Sequence, residues 1–262
     1  MINPSLIAIK LVQDTTTLDA VREFLYDIYI NELQWEFNPK NPSGIRIETS
    51  KTNKMLVDDR DEQAVWVVAY YENTIIGCVR ACERNQKGLF EVQAYNTGKN
   101  LDFLNQKQYP SLIELTRGAV HPQFRSIGIF PILIKAAFDY CKNNKLSVFT
   151  SPSLAKVINF YRSVGFPDVK DFTFKFEPQD PTEAQLFLAN YEKGEVHTVI
   201  DNLTRLINNI QTGYVQKSLS LNLAKFGQFK QPMLFAEQSK LSAYPDSNIN
   251  HANETAILYS KL

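Results

Sequence analysis

Glu114-Leu115-Thr116-Arg117-Gly118-Ala119-Val120-His121-Pro122-Gln123-Phe124-Arg125-Ser126-Ile127-Gly128-Ile129-Phe130-Pro131 is the stretch whose reading decides the fold. Leu112 to Val120 has the apolar pattern of a strand, Arg125 to Gly128 is a short Arg-x-x-Gly turn, and a helix follows over about 128–142. Pro131 falls in the first turn of that helix, where a missing N–H is tolerated. A helix begins with unpaired backbone N–H groups and a partial positive charge, so a turn entering one can hold a phosphate or pyrophosphate. Titratable residues stand just upstream, and the chemistry belongs beside the turn.

Working outward, Leu6 to Leu11 reads as a strand. Val21, Phe24, Leu25, Ile28, Tyr29 and Leu33 then recur at helical spacing after Leu18, which predicts an amphipathic helix over 17–33. The Asn-, Pro- and Lys-rich residues at about 37–55 read as a mobile loop. Val65 to Tyr71 and Thr74 to Ala81 read as two strands of a hairpin around Glu72-Asn73. Downstream, Lys145 to Thr150 is a strand, Ser153 to Val164 a helix, and Phe172, Phe174 and Phe176 alternate along a further strand. This order predicts a mixed α/β fold with helices on both faces of the sheet.

Beyond Glu177 the character changes. Asp180-Pro181-Thr182-Glu183 reads as a capping-box helix start, and Val196, Val199, Ile200, Leu203, Ile207 and Ile210 share one helical face. Residues 211–253 are polar and turn-rich, and Thr255 to Leu262 is β-like again. The organisation expected is one domain over 1–177 and a helical extension over 178–262 whose last strand returns to the sheet.

Composition narrows the function. Lys plus Arg and Asp plus Glu both number 28, so the formal net charge is zero, which argues against a nucleic-acid binder. A hydrophobic content of 44% with 17 Phe and 12 Tyr supports a large core and argues against wholesale disorder. Cys78, Cys82 and Cys141 form no metal-type pair and read as reduced packing residues. His121, His197 and His251 lack metal-ligand spacing, so no metal is expected. The N-terminal residues lack the basic start and long apolar region of a signal peptide, and no apolar run approaches the roughly 18 residues of a spanning helix. The expectation is a cytoplasmic protein with no membrane span.

Val120-His121-Pro122, then Arg125-Ser126-Ile127-Gly128, then Asn159-Phe160-Tyr161-Arg162-Ser163-Val164-Gly165-Phe166 resemble the GCN5-related N-acyltransferase superfamily over about residues 5–177. The resemblance implies the acyl-CoA N-acyltransferase fold, a mostly antiparallel sheet flanked by helices, with a C-terminal helical extension added here. It implies a donor site at Ala119, Val120, Arg125, Ser126, Ile127, Gly128, Ile129 and Phe130. The family pattern places a small residue where this chain has Phe130, which favours phosphopantetheine on acyl carrier protein over the usual coenzyme A pose. A narrower resemblance is to acyl-homoserine-lactone synthases and long-chain N-acyl amino acid synthases, carried by Trp35, Asp58-x-x-Asp61, Gly77-Cys78-Val79-Arg80 and Glu114-Leu115-Thr116-Arg117. Leu25 stands where that group has arginine and Gly118 where it has Phe, which points away from lactone production.

The chemistry of amine attack on a thioester needs a proton acceptor, oxyanion donors and a proton for the departing thiolate. Glu114 is the candidate base, or a structural partner of Arg80 or Arg117. Backbone N–H groups near Ala119 and Val120 are the oxyanion donors that the resemblance implies. Tyr161 is the candidate acid or a packing residue, and Thr116 orients acyl or acceptor groups. Arg125 is a phosphate partner or a plain surface arginine. Asp58, Asp61, Arg80 and Arg117, with Trp35, form an acceptor site or an ion-pair network with a packing tryptophan. The function expected is transfer of a fatty acyl group from a phosphopantetheine thioester, on acyl carrier protein or coenzyme A, to an amino acid or similar small amine. The alternative is an acetyl-CoA-dependent N-acetyltransferase of a small amine or protein N-terminus.

Overall fold

Strict alternation along β4 (Val65–Tyr71) assigns the two faces of the sheet: Val65, Val67 and Ala69 join one apolar core while Trp66 and Val68 join another. The computed structural model describes residues 6–226 except 51–52, 96–97, 106, 108, 177–179 and 181, with the backbone alone at 126 and 211–226. The remaining strands are β1 (Ile7–Val12), β2 (Arg46–Ser50), β3 (Asn53–Val57), β5 (Thr74–Cys82), β6 (Leu112–Val120), β7 (Ser147–Thr150), β8 (Asp168–Phe174) and β9 (Ala184–Ala189). Seven of them form one sheet in the order β1-β4-β5-β6-β7-β9-β8, and β2 pairs with β3 as a separate hairpin. Every neighbour in the large sheet is antiparallel except β6 and β7.

Helices α1 (Thr15–Tyr26), α2 (Glu91–Ala94), α3 (Ile129–Asn143), α4 (Ala155–Ser163) and α5 (Glu195–Phe226) complete the fold. Asp14 caps α1 by accepting from the Thr17 N–H at 2.8 Å. Leu18, Val21 and Leu25 of α1 pack on the Trp66 face, and α3 and α5 cover the Val67 face through Leu133, Phe138, Val199 and Leu203. Helices on both faces of a mostly antiparallel sheet are the architecture expected.

Three readings are corrected. The polar stretch at 37–55 contains β2 and most of β3; the exposed pattern of β2 carries no apolar alternation to announce a strand. The helix expected to 33 changes character after Tyr26 into a π-helical segment, Asp27–Glu32. Asp180 to Glu183 leads into β9, not into a helix. Ala184-Gln185-Leu186-Phe187-Leu188-Ala189 is buried on both faces, and a continuous apolar run has no period to distinguish strand from helix. β9 lies between β7 and β8, so residues on both sides of the expected boundary at 177 contribute to one sheet. The shared face of Val196 to Ile207 is a helix as read, and α5 runs past Gly213 to Phe226. The β-like stretch 255–262 lies outside the described residues.

Candidate active site

The site is organised by an irregularity in β6. Cys78 of β5 faces Ala119 and Arg80 faces Thr116, so Arg117 and Gly118 together oppose Val79 alone. Arg117 carries φ +52°, a left-handed conformation that costs a non-glycine residue about 1–2 kcal/mol. Such strain persists where the surroundings hold it, and here they do. The Cys78 thiol donates to the Arg117 carbonyl at 3.7 Å and the Tyr29 hydroxyl to the Gly118 carbonyl at 3.3 Å. The parallel ladder with β7 ends at Leu115 and Thr150, so Thr116 to Val120 run on beyond the last rung.

The side chain of Arg117 anchors the bulge to a buried charge network. Its Nε and guanidinium NH2 reach Asp58 at 3.1 and 2.7 Å, and NH2 also reaches Glu91 at 2.7 Å. Arg80, fully buried, bonds Asp58 at 2.6 Å, Asp61 at 2.7 Å and Glu91 at 2.5 Å, while its Nε donates to Thr116 Oγ1 at 3.0 Å. Arg22 of α1 closes the network onto Asp61 at 3.1 Å. Burial alone would raise the Asp58 carboxyl, but Arg80 and Arg117 outweigh it and hold that group well below the usual carboxylate range. Asp61 is raised by burial and by the neighbouring Asp58 charge, against Arg80.

Glu114 stands beside this network without an arginine of its own. Its carboxylate accepts from the backbone N–H of Glu91 at 2.6 Å and of Val92 at 3.2 Å, so it caps the one-turn helix α2. Burial and the Glu91 charge raise its carboxyl from 4.5 to about 7, against those hydrogen bonds. Arg22, Arg80 and Arg117 pair with Asp58, Asp61 and Glu91, whereas Glu114 rests on the α2 N–H groups, with the charge of Arg60 as a weaker influence.

The donor turn is built differently. Gly128 opens α3 at φ +86°, a left-handed position that favours glycine, and a Cβ there would lie 3.2 Å from Cγ2 of Ile210 on α5. Part of the extension therefore packs directly on the turn. Ile129, Ala119 and Val120 are buried, and Ile127 packs against the core, which leaves their backbone groups as what the turn can present. Ser126 is described by its backbone alone. Arg125 is not a free cation: its Nε donates to the Val120 carbonyl at 2.9 Å, and its two terminal nitrogens take Glu32 at 2.6 and 2.7 Å.

Phe130 leans from the first turn of α3 toward Phe160, ring centroids 5.1 Å apart, and Tyr161, 6.3 Å apart. Tyr161 is buried, and burial raises its phenol against a hydrogen bond with Thr150, so the group keeps its proton. Trp35 packs on Tyr29 and Phe37 at 5.5 Å each and makes no described bond to the charge network.

The structure thus unites Asp58, Asp61, Arg80, Thr116 and Arg117, sets Glu114 on the same strand against the start of α2, and joins Phe130 to Tyr161. Sequence reasoning missed Arg22, Tyr29, Glu32 and Glu91. Arg22 carried a signal, since it shares the buried stripe of Leu18, Val21 and Leu25 where a charge is out of place. Tyr29 and Glu32 depend on the π-helical segment, which no periodicity announces, and such segments are frequent at functional sites. Among the described residues no group of three His, Cys, Asp or Glu side chains is arranged to hold a metal ion, and no helix is long and apolar enough to cross a membrane.

Residues 23–166 match the model of the acetyltransferase (GNAT) family. No curated protein matches the sequence. Among solved structures, the chain is similar to a CoA-dependent acyl-homoserine lactone synthase, BjaI, with SAM and isopentyl-CoA: 15% identity, TM-score 0.54, covering 77% of this chain and 90% of that one. A second CoA-dependent acyl-homoserine lactone synthase, MesI, gives 16% identity and a TM-score of 0.51 over 76% of this chain and 95% of its own. FeeM, an N-acyl amino acid synthase from uncultured soil microbes, gives 12% identity and a TM-score of 0.49, covering 71% and 92% of the two chains.

Proposed function

The chain belongs to the acetyltransferase (GNAT) family, and from that premise we propose that it moves a fatty acyl group from a phosphopantetheine thioester, on acyl carrier protein or coenzyme A, to the amine of an amino acid or similar small molecule. The observation that carries the proposal is the strained β6 bulge, whose Gly118 stands against the Phe130 ring from the first turn of α3, a ring that in turn packs toward the buried Tyr161. Donor phosphates would take the N–H groups of the turn at 126–130, with Arg125 exchanging Glu32 for phosphate. The thioester carbonyl would point at the N–H of Val120, which stabilises the oxyanion, since the N–H of Ala119 is taken up by Cys78 across the ladder.

The amine nitrogen attacks the carbonyl carbon, the C–S bond breaks, and Tyr161 gives its proton to the departing sulfur. The proton lost by the amine passes through water to Glu114, whose carboxylate has about four lone-pair sites and spends two on α2. Arg80 and Arg117 position this machinery by fixing Thr116 and the bulge, with Trp35 and Tyr29 as the wall on the acceptor side.

Product analysis of bacteria expressing the protein or its Tyr161→Phe variant tests the reading. Lipid-extractable N-acyl compounds should accumulate with the wild type and not with the variant. Accumulation of acetylated amines alone would replace it with the acetyl-CoA N-acetyltransferase reading, and unchanged metabolites would replace it with a non-catalytic binding role.

A further inference from the structure

Two sequence departures that lie twelve positions apart, Gly118 and Phe130, meet in space. A Cβ placed on Gly118 would lie 3.1 Å from Cε2 and 3.8 Å from Cζ of the Phe130 ring, and nothing else described stands within 4 Å. Gly118 is not in the left-handed region, so its backbone would accept a side chain; what crowds one is the ring, which would have to give by a few tenths of an ångström. On its other side that ring packs edge-on against Phe160, which in turn packs on Tyr161 at 5.3 Å. Phe130 therefore bridges the bulge and α4, beyond the last rung of the β6–β7 ladder, with the Tyr29 hydroxyl pinning the Gly118 carbonyl.

We propose that Phe130 is a specificity-determining residue that limits the bulk of the acyl group next to the thioester carbonyl. The proposal rests on the acyltransferase reading above, in which the carbonyl faces the N–H of Val120, just after Gly118, and the sulfur faces Tyr161. A ring wedged between these two points borders the first carbons of the acyl chain. Its rigid edge tolerates an unbranched methylene chain, which slides along an aromatic face, and clashes with a branch close to the carbonyl. Phe130 thus selects on shape beside the reacting atom and leaves chain length to other walls. In an apolar pocket a single methyl group is worth about 10–200-fold in discrimination, so one ring suffices to set a preference.

The test compares unreactive thioether analogues of acyl-phosphopantetheine, the part common to both donors, carrying straight or α-branched chains of equal carbon number. Their dissociation constants are measured by calorimetry for the wild type, Phe130→Ala and Gly118→Ala, with donor turnover assayed in parallel. The wild type should favour the straight chain. Phe130→Ala should shrink the straight-to-branched preference by about tenfold or more, and Gly118→Ala, which pushes the ring into the slot, should enlarge it. The double variant should differ from the sum of the singles, because both act through one ring. Phe130→Leu, which keeps an apolar side chain in the core, carries the same test if the alanine variant does not fold. An unchanged preference in folded variants overturns the proposal, as does failure of the wild type to bind either analogue. A shifted binding preference without any thioester turnover would leave Phe130 in its role and sink the acyltransferase reading instead.

Discussion

Around Arg80, six charged side chains satisfy one another inside the protein, whereas around Gly128 the polar groups on offer among the described residues are backbone N–H groups and one surface arginine. The first region is a finished frame. Every arginine in it is committed to a carboxylate, so taking in a charged ligand there means breaking a buried pair. The second region has loose partners: the Arg125–Glu32 pair is solvent-accessible, and exchanging a carboxylate for a phosphate costs little. The contrast teaches a division of labour in which the frame holds a strained bulge in place and, in the proposed function, the turn receives a donor.

Removing the centre of the frame should have the largest effect. Arg80→Met leaves Asp58, Asp61 and Glu91 buried without their shared cation, and should cost about 3–5 kcal/mol in a urea-unfolding experiment. A loss below about 1 kcal/mol would show that the network is not the support described.

Glu114 gives a pH-dependent version of the same test. Its carboxyl is raised from 4.5 in the unfolded reference to about 7 in the fold, so the native state holds a proton that the unfolded chain has released between those values. The stability this contributes is present below about 4.5 and is lost as the pH rises through about 7, on the order of 3 kcal/mol in all. Glu114→Gln does not titrate. The stability of the wild type relative to this variant should fall across that window and level off above it; a difference independent of pH would place Glu114 in a different environment.

On the donor side, Tyr161→Phe should slow turnover by about a hundredfold through loss of the proton donor, with the unfolding midpoint little changed because the ring packing is kept. Equal turnover in the two proteins would remove Tyr161 from the chemistry. The smallest effect belongs to Arg125→Ala, which should weaken donor binding by about tenfold at low salt and less at high salt, as expected for an exposed cation. Tighter binding in that variant would show that Arg125 serves Glu32 rather than a phosphate.

The same contrast explains what the sequence made legible. β4 and β5 are as buried as β9, yet they could be placed because the short turn at Glu72-Asn73 joins their two apolar runs into a hairpin. β2 is exposed along its length and β9 is buried on both faces, so neither alternates. In the candidate site, the motifs group Asp58, Asp61, Arg80 and Arg117 with Trp35, and the structure brings the four charged residues together apart from Trp35; Glu91 escapes notice because it reaches them from a one-turn helix with no pattern of its own. Glu114 was singled out, yet its bonds run to backbone N–H groups of α2, and such partners leave no trace in side-chain spacing. Gly118 and Phe130 were each legible as departures. That the Phe130 ring of α3 stands against Gly118 of β6 is visible only once the two elements are packed.

The central claim is amide formation from a thioester. Purified protein would be mixed with a long-chain acyl thioester and an amino acid panel, with free thiol and N-acyl product quantified in the same sample. The account predicts one thiol released for each amide formed, and loss of both signals together in Tyr161→Phe. Thiol release without an amide, or an untouched thioester across the panel, would contradict it.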